Sequence, residues 1–151
     1  MTNITIEAAS PGDKASILDL LTDANLPLEG VEHFLTNYFV ARKNSGRIVA
    51  CAGFERHGDT CLLRSVAVLP SLQKTGIGVR IVRSILDEAK QTGVKQIVLL
   101  TTTARDFFAR RFHFIETNRE SYNEVLKASP EWTLPHCSTA VVMKLEMNRY
   151  A

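Results

Sequence analysis

The fold of this chain is decided by the stretch Ser65-Val66-Ala67-Val68-Leu69-Pro70-Ser71-Leu72-Gln73-Lys74-Thr75-Gly76-Ile77-Gly78. It opens on an apolar run of strand length, and after Pro70 the chain takes up a helical periodicity that ends at Gly93. The apolar residues with this helical spacing are Ile77, Ile81, Val82, Ile85, Leu86 and Ala89. A strand, a turn with two glycines and a helix predict an α/β fold, in which the first N–H groups of the helix form a phosphate-binding point.

Three phosphate-binding patterns compete for this turn. A Walker loop requires GxxxxGK[ST], and no glycine of the chain begins that pattern. A dinucleotide fingerprint requires GxGxxG, but Ile81 occupies the third glycine position. The pattern Q/R-x-x-G-x-G/A is matched in full by Gln73–Gly78. The alternative is a plain glycine-rich turn between a strand and a helix, without a ligand.

The rest of the chain alternates between strand-like and helix-like segments. Seven segments have the length and apolar pattern of strands: Ile4–Ala8, Tyr38–Ala41, Arg47–Glu55, Cys61–Leu69, Gln96–Thr101, Phe112–Glu116 and Ser138–Met147. Helical spacing predicts four helices: one before Pro27 with Ile17, Leu18, Leu20 and Leu21 on one face, one over Glu29–Asn37 with Val31, Phe34 and Leu35 inward, the long helix after Gly76, and Ala104–Arg111. The turn Arg56-His57-Gly58-Asp59 predicts a hairpin, and the polar segment Asn118–Pro135 predicts a long surface loop.

Composition excludes several classes of protein. The 151 residues fit a single domain, residues 1–151, and 18 Lys and Arg against 16 Asp and Glu give a net charge of +2, too balanced for a nucleic-acid-binding surface. No apolar run approaches the roughly 20 residues of a transmembrane helix, and the first residues resemble no signal peptide, so we expect a cytoplasmic protein without membrane partners. The three cysteines and four histidines have no metal-ligand spacing, so no metal site is predicted.

With these motifs, the sequence resembles the GNAT superfamily of acetyl-CoA-dependent N-acetyltransferases over nearly its whole length. The resemblance includes the order of elements and the aromatic segment Phe107-Phe108…Phe112-His113-Phe114. A narrower similarity, to small GNAT proteins encoded with arsenic-resistance genes, depends on four segments: Asn25–Gly30, Leu62–Val68, Leu99–Ala104 and Cys137–Met143. The resemblance implies a mixed, splayed sheet with helices on both faces, in the order β-α-α-β-β-β-α-β-α-β-β.

The resemblance also implies how acetyl-CoA binds. The strand Val66-Ala67-Val68 would diverge from its parallel neighbour and pair, through Val66 and Val68, with the amides of the pantetheine arm. The Val68 amide would stabilise the oxyanion. The pyrophosphate would bind the turn residues Gln73, Lys74, Thr75, Gly76, Ile77 and Gly78. The resemblance also makes Phe107 and Phe108 of the short helix candidates for coenzyme binding.

This sequence departs from the usual pattern of the family at the positions of the general acid and the general base. Many relatives place a Tyr in the short helix to protonate the coenzyme thiolate, whereas Ala104–Phe114 contains no Tyr. Tyr122 in the long loop is an alternative acid. Glu55, Glu29 and Glu32 are candidate bases, and the alternative for each, which the rarity of buried Glu favours, is a solvated carboxylate.

Arg64 occupies a position at which several relatives carry a Glu that accepts the proton of the amine. An Arg cannot act as a base, but its guanidinium binds carboxylates in a bidentate manner. Arg64 is therefore predicted to bind the acceptor's carboxylate; the alternative is a surface Arg. Cys137 is a further candidate for the acyl pocket, with packing as its alternative.

The predicted function is transfer of an acetyl group from acetyl-CoA to the primary amine of a small, carboxylate-bearing molecule. Two alternatives stay open: an acyl-CoA-binding or sensing module without catalysis, favoured by the missing Tyr, and a protein-modifying acyltransferase. The expected partners are acetyl-CoA and a small amine, with no nucleic acid, no membrane and no metal; the resemblance leaves a homodimer open.

Overall fold

The computed structural model describes residues 3–137 and 139–150. Met1, Thr2, Ser138 and Ala151 lie outside the described residues, and so does the predicted start of the last strand at Ser138. The interpretation of residues 1–151 as a single domain stays a prediction.

The described residues form a mixed α/β structure. Its strands are β1 (Ile4–Ala8), β2 (Tyr38–Lys43), β3 (Ile48–His57), β4 (Thr60–Val68), β5 (Gln96–Thr101), β6 (Ile115–Thr117) and β7 (Val141–Glu146). Its α-helices are α1 (Lys14–Asp23), α2 (Ile77–Gln91) and α3 (Arg105–Phe112). The α/β fold class predicted from the sequence is confirmed.

The strands form one sheet in the order β1-β2-β3-β4-β5-β7-β6. The pairing of β4 with β5 is parallel and joins residues 60–63 to residues 96–99, and both strands extend beyond these residues. The pairs β1–β2, β2–β3, β5–β7 and β6–β7 are antiparallel. Only Gly58 and Asp59 connect β3 to β4, which confirms the predicted hairpin; Gly58 has a φ of +66°, as such a tight turn requires.

One compact unit comprises the described residues up to Phe54 together with Ser65–Glu88. Its core combines apolar residues of α1, β2, β3 and the end of β4: Ile17, Leu20, Leu21, Val31, Tyr38, Val40, Ile48, Cys51 and Ala67. The apolar face predicted for the first helix is therefore confirmed, with Leu18 packing partly buried at its margin.

The second compact unit comprises Glu55–Arg64 and the described residues from Ala89 onward. In its core, Tyr122, Leu126 and Trp132 pack with apolar residues of β4, β5 and β7: Leu62, Val98 and Val142. The prediction of a loop with one helical turn over 118–135 is confirmed, because this segment contains turns and the 3-10 segment Glu120–Tyr122 but no strand or α-helix. Its placement at the surface is wrong for these three side chains. Three large apolar side chains in an otherwise polar segment are buried against the sheet, and the polar residues between them hide this from a composition-based argument.

The predicted second helix, over 29–37, is also wrong as an α-helix. The chain forms turns there and a short 3-10 segment, Leu35–Asn37. Gly30 has a φ of +86°, which is incompatible with a right-handed helix at that residue. The predicted inward residues are nevertheless confirmed, because Val31 is fully buried and Phe34 and Leu35 pack against the core.

Helix α2 agrees with the periodicity read from the sequence, since all six of its predicted apolar residues are buried. Gly93 follows the helix with a φ of +81°, and the N–H groups of Gly93 and Val94 donate to the carbonyls of Lys90 and Ala89. These bonds satisfy carbonyls at the helix end. In the part of the chain that is described, no helix combines the length and the apolar character needed to cross a membrane.

Gly53 gives a direct test of packing in the first unit. It lies opposite Tyr38 in the β2–β3 pair, and an added Cβ would lie 2.4 Å from carbons of the buried Tyr38 ring. We expect Gly53→Ala to lower the free energy of unfolding by about 1–3 kcal/mol through overpacking, as measured by urea denaturation. Gly12→Ala is the matched control, because no atom lies within 4 Å of its added Cβ. Equal stability of the two variants would contradict this packing.

Candidate functional site

The end of β4 and the turn before α2 are linked by side-chain hydrogen bonds. Val66 and Val68 are half-buried, whereas Ala67 between them is buried in the core. The Gln73 side-chain amide donates to the Val68 carbonyl at 3.2 Å, and the Thr75 hydroxyl donates to the Leu72 carbonyl. The Gln73 side chain therefore holds the turn to the end of the strand, and the Thr75 side chain makes a hydrogen bond within the turn.

The turn has the backbone shape of an anion-binding loop. Lys74 and Gly76 both adopt left-handed conformations, with φ of +67° and +92°. Residues 73–76 are exposed, and an added Cβ at Gly76 would meet no atom within 4 Å. The Arg80 N–H donates to the Gly76 carbonyl at 3.1 Å, so the amides of residues 77–79 precede this intrahelical bond and lie at the positive end of α2.

These features fit a pyrophosphate. Amide donors at a helix start, a left-handed glycine with open space and an exposed lysine are the groups that bind phosphates. The Ile77 side chain is buried, so its contribution to such a site is its amide. The half-buried Gly78 has no side chain that could cover the amides of the first turn of the helix. The left-handed conformation of Lys74 has no sequence signal, because residues with a Cβ rarely adopt it.

The phenylalanines of α3 form an aromatic cluster. The ring centroid of Phe107 lies 5.1 Å from that of Phe108 and 5.6 Å from that of Phe112, and the Phe108 and Phe114 centroids are 5.6 Å apart. Phe108 is buried in this cluster, whereas Phe107 is half-buried. The coenzyme contact predicted for this pair stays a prediction.

Arg64 lies in a buried network of charges. Its side chain is 0% exposed; Nη1 lies 2.7 Å from Oε2 of Glu55, which is also 0% exposed. Its Nε lies 3.1 Å from Oε2 of Glu131, whose side chain is 9% exposed. His57 completes the network, with Nε2 2.8 Å from Oε1 of Glu55.

This network changes the interpretation of Arg64. The sequence favoured either an acceptor-binding group or a surface residue, but the guanidinium faces two carboxylates of the protein itself. The Arg64 guanidinium is therefore already paired with carboxylates of the protein, and we do not propose that it binds the acceptor.

Glu55 is poorly suited to act as the base. Burial by itself would raise the pKa of Glu55, but hydrogen bonds from His57, Ser129 and Arg64 outweigh this and lower the pKa below its usual value. A carboxylate with a lowered pKa that is enclosed by donors holds protons weakly. Glu55 acts in the charge network instead.

The lowered pKa of Glu55 predicts acid sensitivity. Because the pKa of Glu55 is lower in the folded protein than in the unfolded chain, where it is about 4.3, ionised Glu55 stabilises the folded protein at pH values above about 4.3. This stabilisation is lost as the pH falls through the pKa that Glu55 has in the folded protein. We expect the free energy of unfolding to fall between about pH 5 and pH 3, and to fall less steeply in Glu55→Gln. Urea titrations across this range measure the slope. Glu32→Gln is the control, since its carboxylate is 80% exposed; equal slopes in both variants would refute the prediction.

Three further predicted residues lie in separate environments. Glu29 is exposed, and its carboxylate accepts the Leu28 N–H at 3.1 Å. Tyr122 is buried and its hydroxyl donates to the Gln96 side chain at 2.9 Å; burial raises the pKa of Tyr122. Cys137 is buried and its carbonyl accepts a hydrogen bond from Arg119.

The environments of these three residues support their predicted roles to different degrees. The Tyr122 hydroxyl is bonded to Gln96, which pairs with Thr60 at the beginning of β4, and the role of Tyr122 as the acid stays a prediction. Glu29 stays a prediction as base because its carboxylate is accessible. Cys137 fits its alternative, packing. Among the described residues, no three His, Cys, Asp or Glu side chains are grouped to hold a metal ion.

Sequence reasoning missed Glu131, Ser129 and His57 as partners of the Arg64 network. Glu131 and Ser129 lie in the segment assigned to a surface loop, and nothing in its composition indicated that a carboxylate there is buried. The pairing depends on segment 118–135 folding back onto β4, a contact between residues almost 70 positions apart in the sequence.

Comparison with known proteins shows what this chain is similar to. The model of the acetyltransferase (GNAT) family matches residues 10–114. A curated relative, amino-acid acetyltransferase from Neisseria meningitidis, is 26% identical over 72% of this chain, and the match covers 27% of that protein. The chain therefore spans about a quarter of the length of the curated relatives it matches.

Solved structures share the fold. N-acetylglutamate synthase from Neisseria gonorrhoeae, complexed with coenzyme A and L-arginine, superposes with a TM-score of 0.81 at 21% identity, covering 99% of this chain and 34% of that one. A GNAT family acetyltransferase from Brucella melitensis, in complex with acetyl-CoA, has a TM-score of 0.62 at 23% identity, covering 75% and 83% of the two chains.

Proposed function

Because this chain belongs to the acetyltransferase (GNAT) family, we propose that it transfers the acetyl group of acetyl-CoA to the primary amine of a small, carboxylate-bearing acceptor. The observation that carries the proposal is the exposed turn at residues 73–76, which leads into the amides at the start of α2. In this proposal the pyrophosphate of acetyl-CoA binds that turn and residues 77 and 78, with Lys74 supplying positive charge.

The half-buried end of β4 is where we place the pantetheine arm and the thioester. An extended ligand arm pairs with exposed strand backbone as an added strand does, and Val66 and Val68 are the residues whose side chains leave this edge partly accessible. The Val68 amide then lies where it can donate to the carbonyl oxygen as that oxygen becomes negative.

The reaction is a direct aminolysis of the thioester. The neutral amine of the acceptor attacks the acetyl carbon, a C–N bond forms, and the C–S bond breaks to release the coenzyme thiolate. The proton lost by the amine passes to a base, for which the exposed Glu29 stays our candidate, or to water. A thiol has a pKa of about 8–9, so the thiolate leaves without the Tyr that α3 lacks, and solvent protonates it.

The acceptor class is supported by the relatives rather than by a built carboxylate site. The matched proteins are named amino-acid acetyltransferase and N-acetylglutamate synthase, so amino acids are the first acceptors to test. The association with arsenic resistance, drawn from the narrower resemblance, stays a separate prediction; it requires that deletion of the gene lower the arsenic tolerance of its host.

The test is thioester turnover by the full chain. Acetyl-CoA is incubated with L-glutamate, with other L-amino acids and with their carboxamides, the release of free thiol is followed, and mass spectrometry identifies the acetylated amine. We expect turnover with at least one amino acid and a preference for it over its carboxamide of about tenfold or more, the scale of a charge-assisted hydrogen bond.

Two results would contradict the proposal. Calorimetric binding of coenzyme A without turnover of any amine would indicate an acyl-CoA-binding module. Acetylation of a peptide library without acetylation of amino acids would indicate a protein-modifying acyltransferase.

A further inference from the structure

Strand β4 contains a residue whose backbone does not suit a strand. Ser65 has a φ of +60°, in the left-handed region, and its side chain is buried. For a residue with a Cβ this conformation is unfavourable, because the Cβ approaches the following carbonyl oxygen. Ser65 directly precedes residues 66–68, the segment to which the proposed function assigns the thioester. A strained residue at such a point has to be held by its surroundings.

The Ser65 side chain is held by β2. The hydroxyl oxygen of Tyr38 lies 2.7 Å from Oγ of Ser65, and Tyr38 is fully buried. Because this hydrogen bond lies away from water, it is stronger than an exposed one, and no solvent molecule competes for it.

The backbone around Ser65 is held by β3. The Cys51 thiol donates to the Ser65 carbonyl at 3.3 Å, and the Ala67 N–H is hydrogen-bonded to the Cys51 side chain. Burial raises the pKa of the Cys51 thiol to about 12, so it remains protonated and able to donate. The Ser65 side chain, its carbonyl and the amide of Ala67 are therefore all bonded to side chains of β2 and β3.

Gly53 provides the space for this arrangement. An added Cβ at Gly53 would lie 2.4 Å from carbons of the Tyr38 ring, so the ring lies directly across the glycine of the adjacent strand. The phenol can reach Ser65 only because β3 has no side chain at that position.

We propose that Tyr38 is a positioning residue for acyl transfer: its hydroxyl holds Ser65 in the left-handed conformation and so orients the backbone of residues 66–68 toward the thioester. A left-handed residue turns the following peptides of a strand away from its regular path, and a displacement of about 1 Å at a reacting group is enough to lower the rate by a large factor. This inference depends on the proposed function.

The test compares Tyr38→Phe with the double variant Tyr38→Phe/Ser65→Gly. Phenylalanine keeps the ring over Gly53 and removes only the hydroxyl, so we expect kcat to fall about tenfold, the scale of one lost buried hydrogen bond. The affinity for coenzyme A should change less than about threefold, because the turn at residues 73–76 is untouched. Glycine adopts positive φ without the Cβ penalty, so the double variant should recover kcat to within about threefold of the wild type.

A backbone readout separates this inference from the proposed function. Amide hydrogen exchange at residues 66–68 should quicken in Tyr38→Phe and return toward wild type in the double variant, whether or not an acceptor amine has been found. Failure of the wild-type chain to turn over acetyl-CoA would refute the proposed function, and with it the catalytic part of this inference.

Three outcomes would overturn the positioning role: an unchanged kcat in Tyr38→Phe, a reduced kcat that Ser65→Gly does not restore, or exchange rates that do not differ at residues 66–68. Trp132→Phe is the control, because it removes a donor to Asn123, 3.0 Å away, in the other compact unit. We expect it to reduce stability without altering kcat. A loss of kcat in this control equal to that in Tyr38→Phe would attribute the effect to general loosening.

Discussion

Arg64→Ala is expected to lower the free energy of unfolding by about 3–5 kcal/mol, the effect of removing one partner from a buried ion pair. The variant leaves the carboxylates of Glu55 and Glu131 buried without the guanidinium that lies 2.7 Å from one and 3.1 Å from the other. Urea denaturation monitored by circular dichroism measures the change. For a domain of this size, such a loss removes a large part of the total stability.

Two variants show that the cause is uncompensated charge. Arg47→Ala removes an exposed guanidinium from the β2–β3 turn, and we expect a change within about 0.5 kcal/mol. Arg64→Met combined with Glu55→Gln and Glu131→Gln removes the charges together and should recover much of the stability, because neutral groups of similar size need no counter-charge. A loss below 1 kcal/mol in Arg64→Ala would show that the guanidinium is not buried among these carboxylates.

Gly76→Val is expected to weaken the binding of coenzyme A about 100-fold. The valine would force a β-branched side chain into a φ of +92° and place it in the open space beside the amides at the start of α2. Loss of one or two charge-assisted hydrogen bonds accounts for an effect of this size. Isothermal titration calorimetry with coenzyme A measures the dissociation constant.

Gly46→Val is a closely matched control. Gly46, in the turn between β2 and β3, also has a φ of +92° and no atom within 4 Å of an added Cβ. The two variants should therefore lose similar stability, while only Gly76→Val loses affinity for the coenzyme. Equal dissociation constants for the two folded variants would remove the turn from the proposed coenzyme site.

The elements that the sequence predicts well are those with many local signals in agreement. Helix α2 has six apolar residues at helical spacing and a glycine stop, and β5 contains the continuous apolar run Ile97–Leu100; in both, the structure agrees with the prediction. The turn at residues 73–76 was located for the same reason, since its glycines lie between a strand and a helix. The prediction of a helix over 29–37 is wrong because Gly30 has a positive φ, which neither periodicity nor capping residues indicate.

The sequence by itself determined the α/β class, the position of the glycine turn between β4 and α2 and the absence of a Tyr from α3, because each of these is a local property of a few consecutive residues. Only the tertiary structure decided that Arg64 is paired with Glu55 and Glu131, and that Tyr38 and Cys51 hold Ser65 in a left-handed conformation. These contacts join residues 9 to 67 positions apart. Whether an arginine binds a substrate or a buried carboxylate depends on which distant groups the folded chain brings within 3 Å of it, and the local pattern around Arg64 is the same in both cases.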